Sequence, residues 1–327
     1  MQPTISQLLS GFPRESISLL PTPLHFLPRI SERFGRRLFI KRDDLTGFAF
    51  GGNKTRKFDF LIADAIRQGC DTMVGIGANQ SNFCRIMAGV GKRYGLAVHL
   101  VLSGPTPDNP TGNLKIDHLL EATVHHVNTR DSQVRMQAAL ELRRDLEARG
   151  HRVYFLPPGG SVPLGAFGYA LAFEELLTDF QRAGLNVKNI LLASSSAGTQ
   201  AGLVLGQWIT GWQGTITGIS VDTPRETLID DVYHLAVAAA GLLPSPVIAD
   251  KTRITVDTGY IGAGYGIPTP ECIEAVRLFA QMEGIFLDYV YSGKAAAGLL
   301  DYCRGDHFSV DEPVIFIHTG GNIELFA

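Results

Sequence analysis

Apolar residues along the chain fall into short runs that alternate with longer segments of helical period. RRLFIKR (36–42), DTMVGIG (71–77), AVHLVLS (97–103), ATVHHV (122–127) and HRVYFLP (151–157) read as strands. So do KNILLAS (188–194), GTITGISV (214–221) and PVIFIHTGG (313–321). Between the first two runs, 53–68 carries apolar residues at helical spacing through Phe58, Leu61, Ile62 and Ala65. The same period predicts helices over 81–94, 112–121, 132–149, 164–183, 197–210, 225–240, 269–283 and 293–303. Strands separated by helices of this length predict right-handed βαβ units and parallel sheets.

In open parallel sheets a ligand lies at the carboxyl ends of the strands. The informative segments are therefore GGNK after 42, GANQSN after 76, SSSAGTQ after 193, GAGYG near 264 and HTGGN after 317. They hold nearly all the unusual chemistry of the sequence.

The chain has 327 residues, which at roughly 150 residues per domain suggests about two domains or one large α/β unit. Hydrophobic residues make up 45% and charged residues 19%, so a sizeable core is available and disorder is excluded. Lys plus Arg is 29 against 32 Asp plus Glu, a net charge of −3, which offers no basic field for nucleic acid or anionic lipid. Cys70, Cys84, Cys272 and Cys303 form no CxxC metal or redox pair. The first residues lack the basic region and apolar run of a secretory signal. The longest apolar stretch, 235–243, falls short of the ~20 residues that span a bilayer. A cytoplasmic protein with reduced thiols and no membrane partner is expected.

In GGNKTRK (51–57), Lys54 stands just beyond two glycines at the start of an expected helix. Glycines let backbone and ligand approach closely. A helix N-terminus disfavours a cation, which lowers the pKa of Lys54 and suits Schiff-base chemistry; an exposed loop lysine is the plain alternative. ASSSAGTQAGL (193–203) follows a buried strand and opens a helix. Its hydroxyls and free N–H groups make either an anion cradle or a helix cap followed by small packing residues. Without GKS or GKT it is not a P-loop. GIGANQSN (75–82) begins like GxGxxG, but Gln80 replaces the third glycine and no acidic strand end follows, so a dinucleotide site is disfavoured. Asn79, Gln80, Ser81 and Asn82 at a helix start fit a small anion such as a carboxylate. The nine histidines show no metal-ligand spacing, and His125 and His126 on one strand face opposite ways, so no metal is expected. There is no GxSxG elbow.

GGNKTRK, NQSN, the Ser/Gly/Thr loop, GYG, YSGKA and HTGG, in this order, resemble the D-cysteine desulfhydrase and 1-aminocyclopropane-1-carboxylate deaminase family. These are pyridoxal-phosphate enzymes of the tryptophan-synthase-β fold type. The resemblance runs from LPTPLH (20–25) to the last residues. It implies an α/β fold of two open parallel-sheet domains with the cofactor in the cleft between them. The large domain is expected to take 1–54 and 165–327, the small one 55–164. Lys54 matches the lysine bonded to pyridoxal 5'-phosphate, and Asn82 the residue on the cofactor's phenolic oxygen. Ser196, Ala197, Gly198 and Thr199 match the phosphate loop, and Thr319 the hydroxyl at the pyridine nitrogen. Gln80, Ser81 and Asn82 match the surroundings of the substrate carboxylate. Tyr265 and Tyr291 match two tyrosines flanking the substrate, and with Lys54 and Ser81 they form the expected catalytic set. A homodimer acting on a small amino acid is expected.

Several positions depart from the family pattern. Ser292 stands where the deaminase branch has a Glu for the pyridine nitrogen, which disfavours opening of the cyclopropane ring. Phe83 replaces the His of SNH, which predicts a less polar wall and weak turnover of plain D-cysteine. Ser195 and Ala197 make the phosphate loop poorer in Gly, and no Lys or Arg lies in it, so neutral donors are expected to hold the phosphate. The reaction expected is α,β-elimination from a β-substituted amino acid, giving pyruvate, ammonia and thiolate, sulfite or chloride. The alternatives are a β-replacement synthase of the cysteine-synthase type, the cyclopropane deaminase, and a nucleotide-binding oxidoreductase resting on GIGANQ.

Overall fold

Every apolar run read as a strand forms one in the computed structural model, which describes residues 3–129, 131–305 and 307–327. The chain opens with α1 (Ile5–Leu8), β1 (Leu24–Phe26), α2 (Pro28–Phe34) and β2 (Arg37–Lys41). It continues through α3 (Lys54–Arg67), β3 (Thr72–Ala78), α4 (Asn82–Tyr94), β4 (Ala97–Ser103) and α5 (Gly112–Leu119). Then come β5 (Thr123–Val127), α6 (Ser132–Ala148), β6 (Val153–Leu156) and α7 (Pro163–Ala183). The last part holds β7 (Asn189–Ser194), α8 (Gly198–Thr210), β8 (Thr215–Ser220), α9 (Arg225–Ala240) and β9 (Ile254–Asp257). It ends with α10 (Pro270–Glu283), α11 (Ser292–Arg304) and β10 (Pro313–Ile317).

Two sheets result. One has the order β5-β4-β3-β6, all parallel; the other runs β1-β2-β10-β7-β8-β9, parallel except for β1. Alternate side chains of a strand face opposite sides, and helices cover both faces of each sheet. In the larger sheet Val314 and Phe316 pack with α10 and α11, while Ile315 and Ile317 pack with α7 and α8. In the smaller sheet Met73, Leu100 and Leu102 face α3, α4 and α5, and Val74, Ile76 and Val101 face α6. Helix α3 joins the two cores: Phe60 lies in that of the larger sheet, and Phe58, Leu61 and Ile62 in that of the smaller. No helix among the described residues is long and apolar enough to cross a membrane.

The short elements α1, α2, β1 and β9 carry no period that the sequence reveals. The last strand stops at Ile317 and not at 321, because Gly320 and Gly321 take φ of 91° and 103°. Those values leave the extended region and turn the chain across the strand ends.

Candidate active site

Loops after β2, β3, β7 and β10 meet in a cleft of ≈ 760 Å³ lined by residues from both sheets. The turn before α3 and the turn after β10 touch backbone to backbone. A Cβ on Gly320 would lie 2.6 Å from the Cα of Gly52, so glycine is required there. Asn53 N then donates to Thr319 O at 2.9 Å, which sets Lys54 against Thr319. Lys54 Nζ donates to Asn53 Oδ1 at 3.0 Å, and Asn53 Nδ2 donates to Thr199 Oγ1 at 2.9 Å. One asparagine thus ties the lysine to the loop after β7. Burial, then the charge of Arg85, pushes the Lys54 pKa down to about 8, with Asp288 opposing. Lys54 is also the first residue of α3.

The loop after β7 turns at Ala197 (φ 62°, ψ −37°), where Gly198 N donates to Ser196 O at 2.7 Å. This is a three-residue γ-turn, a strained conformation for a residue with a side chain. The first helical bond of α8 runs from Ala201 N to Ala197 O. The N–H groups of Ser195, Ser196, Ala197, Thr199 and Gln200 have no protein acceptor among the described residues. Ser196, Ala197 and Thr199 line the cleft. Gly198 does not; a Cβ there would lie 2.5 Å from Lys57 Nζ and 2.8 Å from Ser161 Oγ. Lys57, one helical turn beyond Lys54, reaches under this loop and donates to Gly159 O at 2.9 Å. Burial and then Lys54 push its pKa well down, and it has no acidic partner among the described residues. To the neutral donors expected there the fold adds a lysine behind the cradle, supplied by a helix distant in sequence, and an anion bound there would favour its charged form.

Across the cleft, Ser81 caps α4, its Oγ accepting from Cys84 N at 3.2 Å. Its hydroxyl hydrogen stays free to donate. Asn82 lines the cleft next to it. The side chain of Gln80 is committed elsewhere: Nε2 donates to Thr111 O at 3.2 Å and Oε1 accepts from Asn113 N at 2.8 Å. The side chain is thus a clasp on α5, while Gln80 still lines the cleft and its backbone N–H has no protein acceptor among the described residues. Phe83 is 2% exposed and stacks on Phe58 at 5.6 Å. It is a packing residue at the floor of the cleft, so the specificity expected from it loses its basis.

The fourth wall carries the tyrosines. The hydroxyls of Tyr265 and Tyr291 lie 2.5 Å apart. Burial pushes Tyr265 up to about 12, and burial with Tyr265 pushes Tyr291 well up from its ordinary value, so both are neutral at pH 7. One hydrogen serves their mutual bond and the other remains for the cleft. Lys294 Nζ pins the Tyr265 loop by donating to Ile261 O and Gly264 O, both at 2.7 Å. Asp288 holds Tyr291, accepting from Val290 N, Tyr291 N and Ser292 N at 2.9, 2.6 and 2.8 Å. Ser292 Oγ also donates to Asp288, at 2.5 Å. Glu324 lines the cleft beside Asp288, and burial followed by that charge pushes its pKa up to about 8. Ser292 therefore does not leave this corner without carboxyl groups.

Lys57, Asn53, Asn113, Asp288, Lys294 and Glu324 are site residues that sequence reasoning misses. Lys57 sits inside GGNKTRK and Lys294 inside YSGKA; helical spacing from Lys54 is the one available signal for the former.

These atoms fit pyridoxal phosphate. Unpaired N–H groups at a helix start, with a buried lysine behind them that has no acidic partner among the described residues, suit a phosphate dianion. The buried Ser194 Oγ beside them also lacks a partner among those residues. A lysine with a lowered pKa suits a covalent bond to an aldehyde.

Comparison with known proteins agrees. A family model described as pyridoxal-phosphate dependent enzyme matches residues 16–320. A D-cysteine desulfhydrase of Klebsiella pneumoniae (strain 342) is 40% identical over 329 residues, 98% of each chain. A crystal structure of an ACC deaminase homologue aligns with a TM-score of 0.91 and 36% identity, covering 100% of this chain and 97% of that one. Threonine deaminase isoform 2 of Solanum lycopersicum, 18% identical, shares the fold with a TM-score of 0.70 over 98% of this chain and 87% of its own. With the lysine, the anion cradle and a match over nearly the whole chain in agreement, the protein belongs to the pyridoxal-phosphate-dependent enzymes.

Proposed function

We propose that the protein removes the β-substituent of a small amino acid by α,β-elimination, as a D-cysteine desulfhydrase-like lyase. The observation that carries this reading is Lys54, buried in the cleft with its pKa pushed down to about 8, between the 80–82 turn and the 195–199 cradle. The 40% identity to a D-cysteine desulfhydrase supports the substrate class.

Pyridoxal phosphate, when bound, supplies an electron sink for charge developing at the α-carbon. Lys54 would hold it, Asn82 would face its phenolic oxygen and Thr319 its pyridine nitrogen, and 196–199 with Lys57 would hold its phosphate. The rest is the work of side chains. Neutral Lys54 Nζ takes the proton from the α-carbon, for which a pKa near the working pH is suited. The bond from the β-carbon then breaks, and the substituent leaves with its electron pair. The free hydroxyl of the Tyr265–Tyr291 pair, or that of Ser81, donates a proton to it. The released enamine takes up water to give pyruvate and ammonia. The Gln80 N–H and the Asn82 N–H at the start of α4, both without a protein acceptor among the described residues, orient the carboxylate.

Pyruvate release from D- and L-cysteine, cysteate and β-chloroalanine tests the reading, with sulfide added in a second series to expose β-replacement. Absence of keto acid from all four by the cofactor-loaded protein overturns it. The likeness to an ACC deaminase homologue supports a second reading, so the cyclopropane acid belongs in the same panel; turnover of that acid alone selects it.

The phosphate assignment makes its own prediction. Thr199→Val is expected to weaken cofactor binding by about 1–3 kcal/mol, and Lys57→Met by at least as much, as befits bonds to a charged group. Equilibrium dialysis measures both, and unchanged affinity in both variants removes the loop from the phosphate.

We read the chain as a large unit of 1–54 and 165–327 and a small unit of 55–164. This division is supported by the sheets, whose strands keep to those ranges. We extend the reading to a cytoplasmic homodimer, which sedimentation and fractionation test.

A further inference from the structure

We infer that Asn113 decides which end of the Asn82 amide faces the cleft, and is thereby a positioning residue for the cofactor's phenolic oxygen. The inference rests on the assignment of Asn82 to that oxygen.

The two ends of an amide side chain are alike in shape and opposite in hydrogen bonding, so neighbours determine its orientation. The neighbours here leave one solution. Asn113 Nδ2 lies 2.9 Å from the backbone oxygen of Gln80. A carbonyl only accepts, so the amino end of Asn113 must point there. The same amino group lies 3.1 Å from Asn82. It only donates, so Asn82 must turn its oxygen towards it. The NH2 of Asn82 is left for the cleft, which that residue lines. An NH2 stabilises a negatively charged oxygen; a carbonyl in its place repels it.

Asn113 is itself held. It is fully buried near the start of α5, and its backbone N–H donates to Gln80 Oε1. Its own Oδ1 is buried without a partner among the described residues, so its orientation is set at the donor end alone. A flipped Asn82 amide would set its NH2 against the NH2 of Asn113, and an unmade buried bond is unfavourable. The ionisable groups nearby are Lys54 on α3, Arg85 on α4 and Asp117 on α5. Arg85 acts on Lys54 and on Asp117, and all three are the same in the variants below.

The test is the pH midpoint of the visible band of the cofactor-loaded protein, which reports the proton shared by the phenolic oxygen and the lysine-bound nitrogen. A donor on the oxygen makes it less basic and releases that proton at lower pH. Asn82→Ala is expected to raise the midpoint by about one unit, a tenfold change in proton affinity. Asn113→Asp puts an acceptor opposite Asn82 and is expected to raise it at least as much. Asn113→Ala leaves Asn82 free to take either orientation and is expected to raise it less. Thermal unfolding of the cofactor-free variants separates folding from orientation. Lower stability with an unmoved midpoint in both Asn113 variants gives Asn113 a purely structural role and overturns the inference. If Asn113→Asp does not load cofactor, Asn113→Ala decides: a raised midpoint supports the inference, an unmoved one overturns it. An unmoved midpoint in Asn82→Ala removes the underlying assignment instead, whatever Asn113 does.

Discussion

Lys54→Ala is expected to lose turnover by about 10²–10⁴-fold or more, the contribution of a positioned proton-transfer group. It should also lose the cofactor fixed by borohydride reduction, because no other amine has the same place. Lys57, the nearest alternative, is turned under the 195–199 loop with its Nζ on Gly159 O. Borohydride-fixed cofactor in the Lys54→Ala protein, located by peptide mapping, overturns the assignment. The wild-type reaction with added cofactor has a predicted pH dependence. The attacking form is the neutral amine, so the rate rises with pH and levels off above about 8. At pH 7 that pKa leaves about one lysine in ten neutral, against about one in three thousand at the ordinary 10.5. Arg85→Met removes the second cause of the shift and is expected to move the midpoint upward; stopped-flow absorbance measures it.

Arg56→Met is expected to destabilise the fold by about 3–5 kcal/mol, the usual consequence of removing one partner from a buried ion pair. Arg56 Nη2 lies 2.8 Å from Asp43 Oδ1, and Nη1 lies 3.0 Å from Glu175 Oε2. Tyr169 Oη and Thr22 Oγ1 also donate to Asp43, at 2.5 and 2.7 Å. Removing the guanidinium leaves a fully buried carboxylate with neutral donors only. Arg56 lies two residues beyond Lys54, so the same change loosens the start of α3. The urea midpoint at pH 7 measures the loss, and a change below about 1 kcal/mol, the range of exposed pairs, overturns the prediction. The acid limb follows from Asp43. Burial alone would raise its pKa, but the charge and bonds of Arg56, with Tyr169 and Thr22, outweigh that and hold it below 3.8. A carboxyl held low stabilises fully above its unfolded pKa and loses that contribution as pH falls through the folded value. In wild type the loss therefore comes below 3.8; in Arg56→Met, where burial is no longer outweighed by a charge, Asp43 has little such contribution left to lose and this limb should flatten.

Residues that share one stretch of backbone are legible from the sequence. GGNK at a strand-to-helix turn puts Lys54 at the first position of α3, and Ser81 stands as the cap of α4. The strand runs are readable because both faces of each sheet are covered, which makes most positions apolar. Phe83 misleads because a helix position two residues past the cap gives no sign of which way it points; the ring turns down onto Phe58. The partners of the Gln80 side chain, Thr111 and Asn113, are not legible from NQSN because they belong to a segment some thirty residues on. Glu324 lies in a segment with no motif and acquires its raised pKa only by burial and by meeting Asp288.

The sequence by itself determined the elements, the parallel sheets and the kinds of side chain available at each strand end, since periodicity and turn chemistry are properties of neighbouring residues. Only the tertiary structure decided which of these side chains work together. Lys54 owes its lowered pKa to burial and to Arg85, Lys57 comes to lie behind the 195–199 loop, and Asn82 meets the buried amide of Asn113. Each of these is a matter of distance and dielectric between segments far apart along the chain, and linear spacing does not encode them.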